Sequence, residues 1–212
     1  TSEAFAAGTF GPWTAGPALP EPRSRAAVIF SAGSIYVFGG LDASGKATTT
    51  AWSLTADASG ALTTWTPVDA VQLPEARAGS SVVALADGLL LLGGVDASGA
   101  PTSTVWKSTT SSSGALGEWT PLASMPEVRA DAEAAVSGSH VYVFGGRDAS
   151  GPTASVLRGT FPTGESDGQG GTIPPENPDA LSWAAGTGSS NLPGPRTDAA
   201  GFFANGGLYL VG

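Results

Sequence analysis

The chain has 212 residues, 41% of them hydrophobic, with no cysteine, nine basic and eighteen acidic side chains, and a net charge of -9. These values exclude disulfides, thiolate metal sites and cysteine nucleophiles, and an acidic surface repels nucleic acid and anionic membranes. The longest apolar runs, such as Leu89–Leu92, are far short of the roughly 20 residues that span a bilayer, so no membrane insertion is expected.

Taken in chain order, residues 8–15, with Gly8-Thr9-Phe10-Gly11-Pro12-Trp13-Thr14, read as the last strand of a sheet whose other strands come from elsewhere. One unit is then written four times. It opens with Leu19-Pro20-Glu21-Pro22-Arg23, Leu73-Pro74-Glu75-Ala76-Arg77, Met125-Pro126-Glu127-Val128-Arg129 and Leu192-Pro193-Gly194-Pro195-Arg196. A small-residue apolar run follows each time, Ala26 to Phe30, Ser81 to Leu85, Ala132 to Val136 and Ala199 to Phe203. These runs are strand-length and carry no helical period. Short turns rich in Gly, Asn and Asp tolerate the positive φ of tight hairpins and lead into a second strand. That strand ends in Gly39-Gly40, Gly93-Gly94 and Gly145-Gly146, and the fourth copy reaches Gly212.

A third segment carries Trp52 and Trp106, with Leu157 in the matching place, and its β-branched and aromatic content favours a strand. A fourth centres on Trp13, Trp65, Trp119 and Trp183, at intervals of 52, 54 and 64 residues. Large aromatics at one point of every unit predict packing between neighbouring sheets. The stretch from Phe161 to Ala180 replaces a short hairpin turn in the third unit, and its Gly and Pro content reads as flexible decoration.

Four antiparallel strands at a period of roughly 50 residues define the repeat. The Gly-Gly pair, the aromatic before it and the spaced Trp resemble the kelch-repeat family over nearly the whole chain. Leu90 departs from the family's aromatic in the second unit, and the fourth lacks its second Gly. The resemblance implies an all-β protein, a β-propeller of four-stranded antiparallel kelch-type blades that is incomplete in this chain. The expected divisions are a closing outer strand at 8–15, blades at 24–67, 78–121 and 130–185, the last with an insertion at 161–180, and the start of a further blade at 197–212. Open β edges are an aggregation hazard, so about two to four further blades, or a partner chain, are expected to complete the ring.

In such a ring the connections that precede each first strand share one face. That face receives Arg23, Arg77, Arg129 and Arg196, the candidate ligand-binding residues, with Asp42, Asp96 and Asp148 from three copies of Asp-Ala-Ser-Gly. A guanidinium fork pairs with carboxylate or sugar oxygens. The plainer reading ties Arg23, Arg77 and Arg129 to Glu21, Glu75 and Glu127 two residues earlier, and makes Asp-Ala-Ser-Gly ordinary turn chemistry. Glu133 stands where the other units have Ala27, Ser81 and Ala200, and is a further candidate facing a central channel. His140 is expected in an exposed hairpin turn, and one histidine builds no His-based metal triad. No cofactor is expected; Glu165, Asp167, Glu176 and Asp179 could take calcium but lack EF-hand spacing.

The expected function is a non-enzymatic, extracellular binding or structural module whose loop faces bind protein or carbohydrate. No catalytic residue is assigned. One alternative is a carbohydrate-active propeller enzyme with its catalytic residues beyond residue 212. Another is an assembly subunit completed by another chain through strand addition. Two lysines among abundant Ser, Thr, Gly and Ala lean towards a secreted or cell-surface bacterial protein.

Overall fold

The computed structural model describes residues 15–112, 114–166, 168–169, 171–186, 191–204 and 207–212, with the side chains of 202–204 and 208 outside that set. Trp13 and all but Ala15 of the expected strand at 8–15 therefore lie outside the described residues. The first hairpin joins β1 (Ala27–Ser31) to β2 (Ser34–Phe38) through Ala32 and Gly33, both left-handed at φ 48 and 80°. β3 (Ala51–Thr55) and the short β4 (Thr66–Pro67) complete an antiparallel sheet of order β1-β2-β3-β4. The second sheet repeats the plan with β5 (Ser81–Leu85), β6 (Gly88–Leu92), β7 (Val105–Thr110) and β8 (Leu116–Pro121).

The third unit begins with β9 (Glu133–Ser137) and β10 (His140–Phe144). A two-stranded ribbon, β11 (Arg147–Asp148) and β12 (Gly151–Pro152), precedes β13 (Val156–Thr160). The insertion then forms a second ribbon from β14 (Glu165–Ser166) and β15 (Thr172–Ile173) before β16 (Ser182–Ala185) closes the sheet in the order β9-β10-β13-β16. The fourth unit contributes the hairpin β17 (Ala200–Ala204) and β18 (Gly207–Val211). The protein is thus all-β, built from repeated four-stranded antiparallel sheets.

Why β6 reads as an unbroken apolar run follows from its place between two neighbours. Leu89 and Leu91 enter one core with Phe38 of the first sheet and Trp119, while Leu90 and Leu92 enter another with Val141, Leu157 and Leu181. A strand covered on both faces has no polar side to alternate with. The recurring Trp residues serve these seams. Trp119 meets the Phe38 ring edge-on at 5.2 Å, and its indole N–H donates to the Val71 carbonyl at 2.9 Å. Trp183 donates to the Ala123 carbonyl and Trp65 to that of Pro17.

The Gly-Gly pairs are the backbone half of the same seams. The second glycine's N–H donates across to the next unit's arginine carbonyl, Gly40 to Arg77 at 2.8 Å, Gly94 to Arg129 at 2.7 Å and Gly146 to Arg196 at 2.7 Å. The first glycine of each pair sits at φ near 60°, and a Cβ there would collide with that same carbonyl oxygen. Backbones this close leave no room for a side chain. Stitched in this way, β1, β5, β9 and β17 stand side by side in order.

Two expectations change here. His140 is the first residue of β10, half-buried, with Nδ1 3.1 Å from the Thr160 hydroxyl. The turn is one residue tighter than expected, and Gly138 at φ 58° completes it. The insertion is anchored as well as decorative: Asp179 reaches the second sheet and pairs with Lys107 at 2.5 Å, beside Asp87 at 2.7 Å. Desolvation opposes the buried Lys107 ammonium, but the bonds from Asp179 and Asp87 outweigh it and raise its pKa.

Candidate functional site

Side-chain burial sorts the charged residues of the repeat. The Arg23, Arg77 and Arg129 side chains are 3, 2 and 1% exposed, so these three candidates lie inside the protein and not on a docking face. Each Nη1 donates to the carbonyl of the preceding residue, and each Nη2 to the glutamate two residues back, at 2.6 Å for Glu21 and 2.7 Å for Glu75, with Glu127 the third. The same nitrogen reaches Thr50, Thr104 or Ser155 at the head of the third strand. Arg23 and Arg77 also stack over Trp52 and Trp106, both 4.6 Å from guanidinium carbon to ring centroid, a geometry that favours a cation over the ring's negative face. The fourth candidate, Arg196, is exposed and donates to the Gly212 carbonyl.

Two residues further along each unit the picture reverses. Arg25, Gly79, Asp131 and Asp198 occupy one repeat position, and all four are left-handed, with φ between 53 and 64°. Their backbones form a belt across the four units: Gly79 N–H donates to Arg25 O at 2.7 Å, Asp131 N–H to Gly79 O at 2.8 Å and Asp198 N–H to Asp131 O at 3.0 Å. Left-handed non-glycine residues cost about 1–3 kcal/mol and gather at functional sites. Here three of four carry a charge.

Their side chains converge at one end of the first strands. The Arg25 Nε is 2.8 Å from Asp131 Oδ1, and its Nη2 is 2.6 and 2.5 Å from the two carboxylate oxygens. From the third unit, Arg147 Nε donates to Asp131 Oδ2 at 2.7 Å. Asp131 is only 7% exposed, whereas Arg25 and Arg147 are 30 and 32% exposed. The carboxylate therefore fixes two guanidinium groups that remain open to solvent. Beside them lies a concavity of about 230 Å³ lined by Arg25, Gly79, Ser80, Asp131 and Asp198. Gly79 makes the crossing possible, because a Cβ there would strike Asp131 Oδ1 and stand 2.8 Å from Arg25 Nη2.

Glu133 starts β9, half-buried, with its side chain folded against Gly201 of β17; a Cβ on Gly201 would come within 2.5 Å of Glu133 Cγ. Desolvation raises its carboxyl pKa, against the N–H groups of Gly201 and Ala134, which lower it. It fills the gap between two first strands, one residue beyond the concavity's Ala132 lining.

The Asp-Ala-Ser-Gly copies are turn chemistry. Asp42 Oδ1 accepts from Ser44 N at 2.8 Å, from its hydroxyl at 2.6 Å and from Lys46 N at 3.0 Å; Asp57 and Asp96 repeat the pattern, and Asp148 accepts from Ser150 N and Gly151 N. The serine hydroxyl is the largest cause of the lowered pKa at Asp42, Asp57 and Asp96. Of the acidic residues weighed for calcium, Asp179 is spent on Lys107 and Asp167 lies outside the described residues.

Sequence reasoning fixed on the arginine of the signature and passed over Arg25, Asp131, Asp198 and Arg147. One signal was available. Aligning the units places Gly79 against Arg25, Asp131 and Asp198, and a glycine aligned with Asp twice marks a left-handed position. Arg147 likewise aligns with Leu41 and Val95.

No family model matches the chain, and no curated protein matches it. Solved structures do. One titled "Structure of YjhT" superposes with a TM-score of 0.70 at 18% identity, covering 96% of this chain. The chain spans 62% of that protein's length. At this identity the likeness shows a shared fold.

Proposed function

We propose that the chain is part of a kelch-type β-propeller that acts as a non-enzymatic binding module, with the sheets at 24–67, 78–121 and 130–185 as successive blades. The repeat of four-stranded sheets and the Gly-Gly seams support the propeller. The observation that carries the binding role is the belt of left-handed residues bearing Arg25, Asp131 and Asp198 beside a polar concavity. Strain kept at three of four aligned positions, with Arg25 and Asp131 held in place by one another, suits recognition of a polar ligand, protein or carbohydrate. The lysine-poor composition fits a secreted or surface-bound setting.

The test is capture on glycan and protein arrays by the wild-type protein and by Arg147→Ala and Arg77→Ala variants. Arg147→Ala is expected to lose at least about tenfold in capture with its thermal midpoint little changed, as for a partly exposed guanidinium that bonds ligand. Arg77→Ala loses stability while its folded fraction still captures. Capture indifferent to Arg147 would sink the reading.

A further inference from the structure

Resting on that binding role, we infer that the concavity over Gly79 takes a neutral, polyhydroxylated ligand of the size of one sugar ring. Charge balance is the first reason. Arg25, Asp131 and Asp198 line the concavity, and Arg147, bonded to Asp131 from outside the lining, brings this cluster of four to no net charge. An anion would have to displace Asp131, which is held on Arg25 and Arg147 and competes at the high effective concentration of a tethered group. A cation would be drawn to Asp198 but would meet Arg25, which lines the same concavity.

The second reason is how the remaining donors and acceptors alternate. Arg25 spends Nε and Nη2 on Asp131, and its Nη1 has no partner among the described residues. Ser80, which lines the concavity, donates its hydroxyl proton to the Gly93 carbonyl at 2.9 Å and so has only acceptor capacity left for a ligand. The Asp198 side chain is exposed and has no partner among the described residues, leaving an ionised acceptor. A sugar hydroxyl both donates and accepts, so adjacent hydroxyls match a guanidinium N–H on one side and carboxylate and serine oxygens on the other.

Size is the third. At about 30 Å³ per water, the 230 Å³ space corresponds to roughly eight waters, comparable to a single sugar ring. Among the described residues, no aromatic side chain lines it. Selectivity therefore rests on hydroxyl geometry, and affinity for a lone sugar stays weak.

Saturation-transfer NMR on the whole protein decides the matter, using galactose, glucose and mannose as neutral probes and glucuronate as the charged one. Expected are transfer to at least one neutral hexose that persists at high salt, and a loss of about tenfold in affinity in Asp198→Asn and Ser80→Ala. Asn tolerates the left-handed position, so the first variant keeps the fold; an unchanged amide spectrum checks both. Glucuronate binding that weakens with salt, without hexose binding, overturns the inference and leaves the binding role standing. No transfer to any sugar, together with array capture of a protein that requires Arg147, does the same. Silence in both assays overturns the inference and the binding role together.

Discussion

Two sets of charged residues in the same repeat have opposite fates. The Arg23, Arg77 and Arg129 side chains are at most 3% exposed and bond neighbouring carbonyls and glutamates through their Nη atoms, each Nε lying buried without a partner among the described residues, while Arg25 and Arg147 stay about one-third open around a shared Asp131. The backbone makes the difference. The first set lies where the chain runs extended along the seam, and its side chains turn into it. Arg25 and Asp131 sit at left-handed residues just before their first strands, and Arg147 reaches the same carboxylate from β11. The signature arginine is thereby a fastening in the first three copies, and the irregular charges beside it belong to the proposed site.

The largest expected effect breaks the seam itself. Gly93→Ala places a Cβ against the Arg129 carbonyl at φ 60°, and a loss of about 3 kcal/mol or more in chemical denaturation is expected from strain plus a backbone collision. Next, Arg129→Ala should cost about 2–4 kcal/mol, since it empties a fully buried side chain and strips its hydrogen bonds. The cost falls short of a fully buried ion pair because Glu127 stays 43% exposed. If Arg129→Ala left stability intact and abolished capture, the two sets would have to exchange roles.

Gly79→Ala sharpens the comparison from the other side. A left-handed alanine costs about 1–2 kcal/mol, and its methyl group forces Arg25 and Asp131 apart, so capture should fall more steeply than stability. A protein in which both fall in proportion would mean that the Arg25–Asp131 pair is another fastening.

The smallest effect is the pH response of Glu133. Its carboxyl pKa is raised in the folded protein above the ordinary 4.5, so the folded state binds the proton more tightly than the unfolded one. Stability is then greatest below that value and declines as pH rises from 4.5 through the folded pKa. Glu133→Gln should flatten this decline in denaturation midpoints measured from acid to neutral pH. An identical slope in the variant would assign the decline to another group.

The strands, turns and seam residues were legible because they obey local rules repeated in each unit. The expected runs Ala26 to Phe30, Ala132 to Val136 and Ala199 to Phe203 end one residue before the observed strands, and Ser81 to Leu85 coincides with β5. The hold of Glu21, Glu75 and Glu127 on the arginines was readable too, from a separation of two residues. His140 and Asp179 were misjudged because each is bound by a partner from elsewhere in the fold, Thr160 across the sheet and Lys107 in the next one.

By itself, then, the sequence determined the repeat, its four-stranded sheets and the glycines at their seams, since hydrophobic period, turn residues and steric need are properties of short segments. Only the tertiary structure decided which charges are free. Arg25 and Asp131 are 106 residues apart and meet over Gly79, because side-by-side packing of the first strands brings one aligned position from each unit to a common point. Burial and convergence of that kind depend on how whole sheets pack, and no spacing within a unit encodes them.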